Sequence, residues 1–169
     1  MSDNRFVVNQ KKFDKAGLAD VGYYLFRVDS VRGTEKQYGD SEAFPIIQMR
    51  LTATHTIEVD ESGAVLEEVE LNIPISRPFE EFKLDGKPAR KLRTLYQAVT
   101  GRPLTGADGK SVDLLAAAEE LIGGSAWNNV FHASYKRDDG TVGWKDMLTN
   151  TFKSKAPKKV FIPKEEEEG

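Results

Sequence analysis

Two stretches of the chain interleave cations with aromatic rings. The first contains Tyr23, Arg27, Arg32, Lys36, Tyr38, Phe44 and Arg50. The second contains Lys136, Arg137, Trp144 and Lys145. Together these residue types suit a single nucleic-acid strand: cations track the phosphates and rings stack on unpaired bases, each stacked base contributing roughly 1–3 kcal/mol. A third charged feature closes the chain. Glutamates Glu165, Glu166, Glu167 and Glu168 follow a stretch carrying Lys153, Lys155, Lys158, Lys159 and Lys164. Such a tip can compete with a polyanion for a cationic groove and then recruit a protein partner, or it can act in solubility alone.

Other chemistries find less support. The chain has no cysteine and two histidines, His55 and His132, far apart in sequence. Thiolate and histidine metal sites are therefore not expected, nor is any other cofactor. The histidines read as ordinary strand residues. No phosphate-cradling GxxxxGK[ST] and no GxSxG turn occurs. Glu80, Glu81 and Lys83, with Glu68 and Glu70, form a faint nuclease-like pattern. A metal-dependent site needs carboxylates that converge on one ion, and E-x-K arises by chance in a chain this charged. The expectation is a binding protein and not an enzyme.

Charge is unevenly distributed. The 169 residues carry 24 basic and 27 acidic side chains, a net charge of −3. Four of the acids are the terminal glutamates, so the rest of the chain has 23 acids against 24 bases. A near-neutral body lacks the basic surplus usual in nucleic-acid binders, and any cationic face must come from local segregation. No apolar run approaches the roughly 18–20 residues that span a bilayer. The opening MSDNRFVVNQKKFDK has no apolar stretch of a secretion signal. We expect a cytoplasmic protein with no membrane association.

These residues need elements to position them. Residues 1–21 read as an N-terminal arm. From Gly22, Tyr24, Phe26 and Val28 alternate with Tyr23, Leu25, Arg27 and Asp29, the period of a strand. Polar Gly33–Ala43 reads as a loop. Phe44–Glu58 alternates again, with Ile47, Met49, Leu51 and Ala53 on one face and Gln48, Arg50, Thr52 and Thr54 on the other. Its length suits a strand that coils round a small barrel. A turn at Asp60–Gly63 leads to a third strand, Val65–Ile73, ended by Pro74. The stretch RPFEEFKLDGK reads as a surface loop. Helical spacing of Ala89, Leu92, Leu95, Tyr96 and Val99 then stops at Gly101, and a second helix is expected at Val112–Ile122. Trp127–Tyr135 is a fourth strand, Arg137–Gly140 a hairpin turn, and Val142–Phe152 a fifth.

Three strands, a helical segment and a two-stranded hairpin predict a mainly β protein: an OB-fold, a five-stranded barrel with helices between the third and fourth strands. The domain is expected over 22–152, with a flexible lysine-then-glutamate tail over 153–169. In an OB-fold the binding face lies on the second and third strands, flanked by the loops between the first and second and between the fourth and fifth. Lys36, Tyr38 and Phe44 fall in or beside the first of these loops. Lys136, Arg137, Trp144 and Lys145 belong to the second. Tyr23, Arg27 and Arg50 lie on polar strand faces, and Arg32 ends the first strand. Periodicity assigns Tyr24 and Phe26 to the core, and on the same ground Trp127, Phe131 and Tyr135. It leaves Trp144 and Tyr38 open between packing and stacking.

The opening GYYLFRV, the strand PIIQMRLTAT, the helix KLRTLYQAVTG, the LIGG turn and the hairpin KRDDGTVGW resemble the single-stranded DNA-binding proteins encoded by bacteriophages. The likeness runs from Gly22 to about Asn150 and extends to the acidic end. It implies a sequence-nonspecific single-stranded DNA-binding protein of phage DNA replication or recombination, working in the host cytoplasm, with protein partners recruited through the tail. Tails of that group often finish in an aromatic or apolar residue, whereas this chain finishes in Gly169. Homo-oligomerisation is compatible with the sequence and not demanded by it. The alternative function is a small β-barrel protein-interaction module that binds no nucleic acid, which the near-neutral body favours.

Overall fold

The computed structural model of the chain describes residues 4–16 and 18–160. Its contacts divide the chain into two compact units. The larger is Tyr23–Asn128 with Asn150–Gly169, and the smaller is Met1–Gly22 with Asn129–Thr149. The protein is mainly β, and every strand pair with a defined register is antiparallel.

In the larger unit, strand β1 (Gly22–Lys36) pairs with β2 (Phe44–Val59), and β2 with β3 (Val65–Ser76). A short strand, β4 (Glu80–Lys83), lies on the first part of β2. Helices α2 (Arg90–Thr100) and α3 (Leu114–Glu119) follow, and β5 (Ser125–Lys136) returns beside β1. The third strand is therefore followed by another strand, and the helices lie between β4 and β5. The segment expected to be a surface loop contains β4, whose Phe82 is fully buried.

Two strands run further than their composition suggested. Gly33–Lys36, expected in a loop, continue the β1 ladder opposite Phe44–Ile47. Gly33 suits this position because Leu115 packs there; a Cβ would stand 3.1 Å from its Cδ2. Strand β3 passes through Pro74 to Ser76. An edge strand tolerates a proline because its outer N–H groups need no partner. Between the pairs Ala53–Ile75 and His55–Glu70, β3 has three more residues than β2, so it makes a detour around Ile73 and Pro74.

The core of the larger unit follows the alternation of β2. Ile47, Met49, Leu51 and Ala53 are buried, and so are Phe26 and Val28 of β1. Leu92, Leu95, Ala118 and Leu121 close over it, with Trp127 and Phe152. Helix α2 ends where expected, with Gly101 in the left-handed conformation at φ 73°. Residues after Phe152 were expected to be flexible. In the described part of this segment, Lys153 bridges Trp127 and Lys159 bridges Ala64. Phe152 is buried against Phe82, which ties the start of this segment to the core.

Register decides which residues of β1 face outward. Val28 pairs with Leu51 but Ser30 with Arg50, so Asp29 is an extra residue, a β-bulge. Because side chains alternate, one extra residue exchanges the two faces. Before the bulge Tyr24, Phe26 and Val28 point to the core; after it Val31 pairs with Met49 on the core side, and Ser30, Arg32, Thr34 and Lys36 point outward. The Asp29 carboxylate accepts hydrogen bonds from Thr52 Oγ1 and, at 2.8 Å, from Arg27 Nε. Its partial burial raises its pKa, but these bonds and the charges of Arg27 and Arg50 outweigh that and hold it below the ordinary value.

In the smaller unit, the rest of β5 pairs with β6 (Val142–Leu148), and the N-terminal arm contains a six-residue helix, α1 (Gln10–Lys15), capped by Asn9. Among the described residues no helix is long and apolar enough to cross a membrane.

Deleting Asp29 should put Arg32 and Lys36 on the core side and abolish cooperative thermal unfolding measured by circular dichroism. Asp29→Asn keeps the extra residue and should lower Tm by only about 2–4 °C, the equivalent of roughly 1 kcal/mol in a chain of this size. Equal melting of the deletion and the wild type would refute the register argument.

Candidate nucleic-acid interface

Pairing places the outward residues of three strands on one surface of the larger unit. Arg32 is opposite Gln48, Ser30 opposite Arg50, and Lys36 opposite Phe44. On β4, Glu81 is opposite Gln48 and Lys83 opposite Ile46. Paired residues share a face, so Arg32, Lys36, Phe44, Gln48, Arg50, Glu81 and Lys83 form one surface. Arg32 Nε donates to Gln48 Oε1 at 2.7 Å. Lys36 pairs with Glu81, and that hydrogen bond is the main reason its pKa is raised. The exposed Tyr38 ring packs on Phe44 with centroids 5.7 Å apart, and Lys36 Nζ lies 5.2 Å from its centre.

A ring that the sequence reading passed over completes this surface. Phe79 stands on the turn between β3 and β4 and is 36% exposed. The guanidinium carbons of Arg32 and Arg50 lie 4.2 and 5.1 Å from its centroid. Buried charge anchors the turn on both sides of the ring. Arg77, 5% exposed, bonds through its backbone N–H to Leu51 O at 2.9 Å. Its Nε and Nη2 reach Glu80 Oε1 at 3.0 and 2.8 Å. Lys91 Nζ, from α2, donates to the other oxygen of Glu80 at 2.7 Å. Burial favours the neutral form of Glu80, but the charge and hydrogen bond of Lys91, with those of Arg77, prevail and lower its pKa. Pro78 stiffens the link between Arg77 and Phe79 by fixing its own φ.

Of the four glutamates of the nuclease-like pattern, Glu80 and Glu81 do not converge, and among the described residues no group of three acids or histidines is placed to hold a metal ion. Neighbours on a strand, Glu80 and Glu81 point to opposite faces, the first to Arg77 and Lys91 and the second to Lys36.

Of the expected residues in this unit, Arg32, Lys36, Tyr38, Phe44 and Arg50 come together. Arg27 points outward on the same side of β1 and pairs with Asp29. Tyr23 is half-buried at the start of β1, nine residues from Arg32 and so about 30 Å along the strand. Phe79 and Lys83 are additions. Their signal in the sequence was weak: one ring after a proline, inside a charged segment that reads as a loop.

Lys136, Arg137, Trp144 and Lys145 belong to the smaller unit. Trp144 is opposite Ser134, on the face shared by His132 and Asp146. The arm lies on that face. Ala19 N–H donates to Asp146 Oδ2 at 2.8 Å, and His132 Nε2 donates to Ala19 O at 2.8 Å. Lys15 and Lys11 place their ammonium groups 4.1 and 5.3 Å from the Trp144 ring centre. On the other face, Phe131 and Tyr135, expected in the core, are 36% and 42% exposed. Arg137 and Lys145 flank Tyr135, and Lys136 is exposed at the end of β5. The acidic tip Glu165–Glu168 lies outside the described residues.

No protein-family model, curated protein or solved structure matches the chain. The class that fold and surface define is therefore a mainly β antiparallel protein with a cation-and-ring face on β1, β2 and β4.

Replacing Glu80 with Gln should remove the carboxylate that Arg77 and Lys91 share. Breaking a buried pair in this way costs about 3–5 kcal/mol, to be measured by urea unfolding at pH 7. The folded pKa of Glu80 lies below its unfolded value. Its stabilisation is therefore full above the unfolded carboxylate range, about pH 4.3, and is lost as pH falls toward the folded value. The gap between wild type and Glu80→Gln should narrow in acid. A gap that does not change with pH would contradict the assigned charge pairing.

Proposed function

We propose that the protein binds single-stranded DNA with little base preference, through the outward face of β1, β2 and β4. The carrying observation is Phe79, an exposed ring on a turn anchored by buried charges, with two arginines against it. Tyr38 and Phe44, with Lys36 and Lys83, repeat the combination further along the same strands. Rings accept unpaired bases whatever their identity, and cations beside them take the phosphates. Local segregation of this kind gives a near-neutral body a cationic face. In this reading the three-stranded meander, the helices and the β5–β6 hairpin are parts of an OB-type barrel. The protein coats single strands in phage replication or recombination, as its resemblance implies, and its acidic tail recruits partner proteins.

A second reading has its own observation. Strand β3 exposes Leu66 and Ile73, 64% and 80% accessible, which favours a protein-interaction module.

Titration of fluorescent oligo-dT at low and moderate salt separates the two. Affinity should fall steeply with salt. Phe79→Ala should weaken binding about 5- to 150-fold, the equivalent of roughly 1–3 kcal/mol, with similar loss on oligo-dA and oligo-dC. Arg50→Ala should reduce the salt slope by about one. Absence of oligonucleotide binding at low salt would remove this reading and leave the protein-interaction one.

A further inference from the structure

The open face of the β5–β6 hairpin has a built feature. Tyr135 lies directly opposite Gly143. A Cβ on Gly143 would stand 2.5 Å from Tyr135 Cζ, 2.7 Å from its Oη and 2.9 Å from Cε1. The outer half of the ring therefore lies across the β6 backbone, in space that any other residue would fill. Gly143 itself is buried beneath it, while Tyr135 remains 42% exposed. One side of the ring is thus supported by main chain and the other is accessible. Two cations lie over it at long range: Arg137 and Lys145 place their charged groups 5.8 and 5.9 Å from the ring centre. Arg137 is held in turn by bonds from Nη1 to Val142 O, 3.1 Å, and to Thr141 Oγ1, 3.3 Å.

We propose that Tyr135 on Gly143 is a stacking platform for one unpaired nucleobase, with Arg137 and Lys145 taking the adjoining phosphates. The proposal rests on the single-strand binding reading and adds a separate contact on the smaller unit. A ring fixed on a flat floor suits a planar ligand, because little side-chain freedom is left to lose on stacking. Cations within 6 Å of the ring centre suit a planar group that carries phosphate. The competing role is structural: an aromatic ring laid over a strand glycine also stabilises a hairpin. In that case the ring contributes to folding and to no ligand.

The test uses the full chain and oligo-dT. Gly143 does not adopt positive φ, so Gly143→Ala is compatible with the backbone and acts by displacing the Tyr135 ring. Tyr135→Ala and Gly143→Ala should each weaken binding by roughly five-fold or more, and Tyr135→Phe should keep wild-type affinity. An oligonucleotide carrying 5-iodouracil should photo-crosslink to Tyr135 in the wild-type protein, mapped by mass spectrometry. This second measurement decides the matter if a variant fails to fold. Wild-type affinity in folded Tyr135→Ala, or a crosslink map without Tyr135, overturns the platform. If Phe79→Ala still weakens binding in that case, the single-strand reading stands and only the platform falls. If the wild-type protein binds no oligonucleotide, both fall.

Discussion

The geometry of the outward face depends on one inserted residue. Strand pairing admits only two side-chain directions, so a strand cannot present Arg27 and Arg32 on the same side without a break in phase. Asp29 supplies the break. Its carboxylate joins Arg27 on its own strand to Thr52 on the next, so the extra residue is held by both strands. Core residues before the bulge are even-numbered, and Val31 after it is odd-numbered, yet all face the same interior. The cations change number parity in the same way and meet on one surface.

The second constraint is the cluster of Arg77, Glu80 and Lys91. Buried ion clusters are poor sources of net stability, because desolvation offsets the attraction between charges. This one serves orientation better than stability. Glu80 joins the turn before β4 to α2, and the backbone of Arg77 joins the same turn to β2. The ring between them is exposed, but its mounting is not. A more apolar mounting of equal volume would hold the turn to the core without the directional bonds that fix its angle.

Much of this arrangement was legible in the sequence where one face is covered throughout. Strand β2 shows its alternation because Ile47, Met49, Leu51 and Ala53 all meet the core. Helix α2 shows itself through its spacing and Gly101. Other parts were hidden for definite reasons. Strand β4 has four residues, two of them glutamates, and its one buried ring cannot establish a period. The bulge at Asp29 leaves no mark, because aspartate is ordinary at a strand's polar positions. Trp127, Phe131 and Tyr135 share parity, and parity identifies a face without saying how far the cover over it extends. It extends over Trp127, at 4% exposure, and not over Tyr135. The interleaved cations and rings were visible as a composition, but Phe79 was assigned to a loop and its neighbours became apparent only through pairing.

The detour in β3 bears on how copies of the protein tolerate one another. A protein that coats a polymer is held beside its own copies at a local concentration far above its average in solution. A long, straight, apolar strand edge would then zip copies together into sheets that no longer release. Here the exposed Leu66 and Ile73 are not free to act as such a template. Glu67, Glu68 and Glu70 place like charges along the first half of the edge, and the three-residue detour with Pro74 breaks its line in the second. On the single-strand binding proposal, close packing of copies can remain reversible, because the β3 edge is bent and charged.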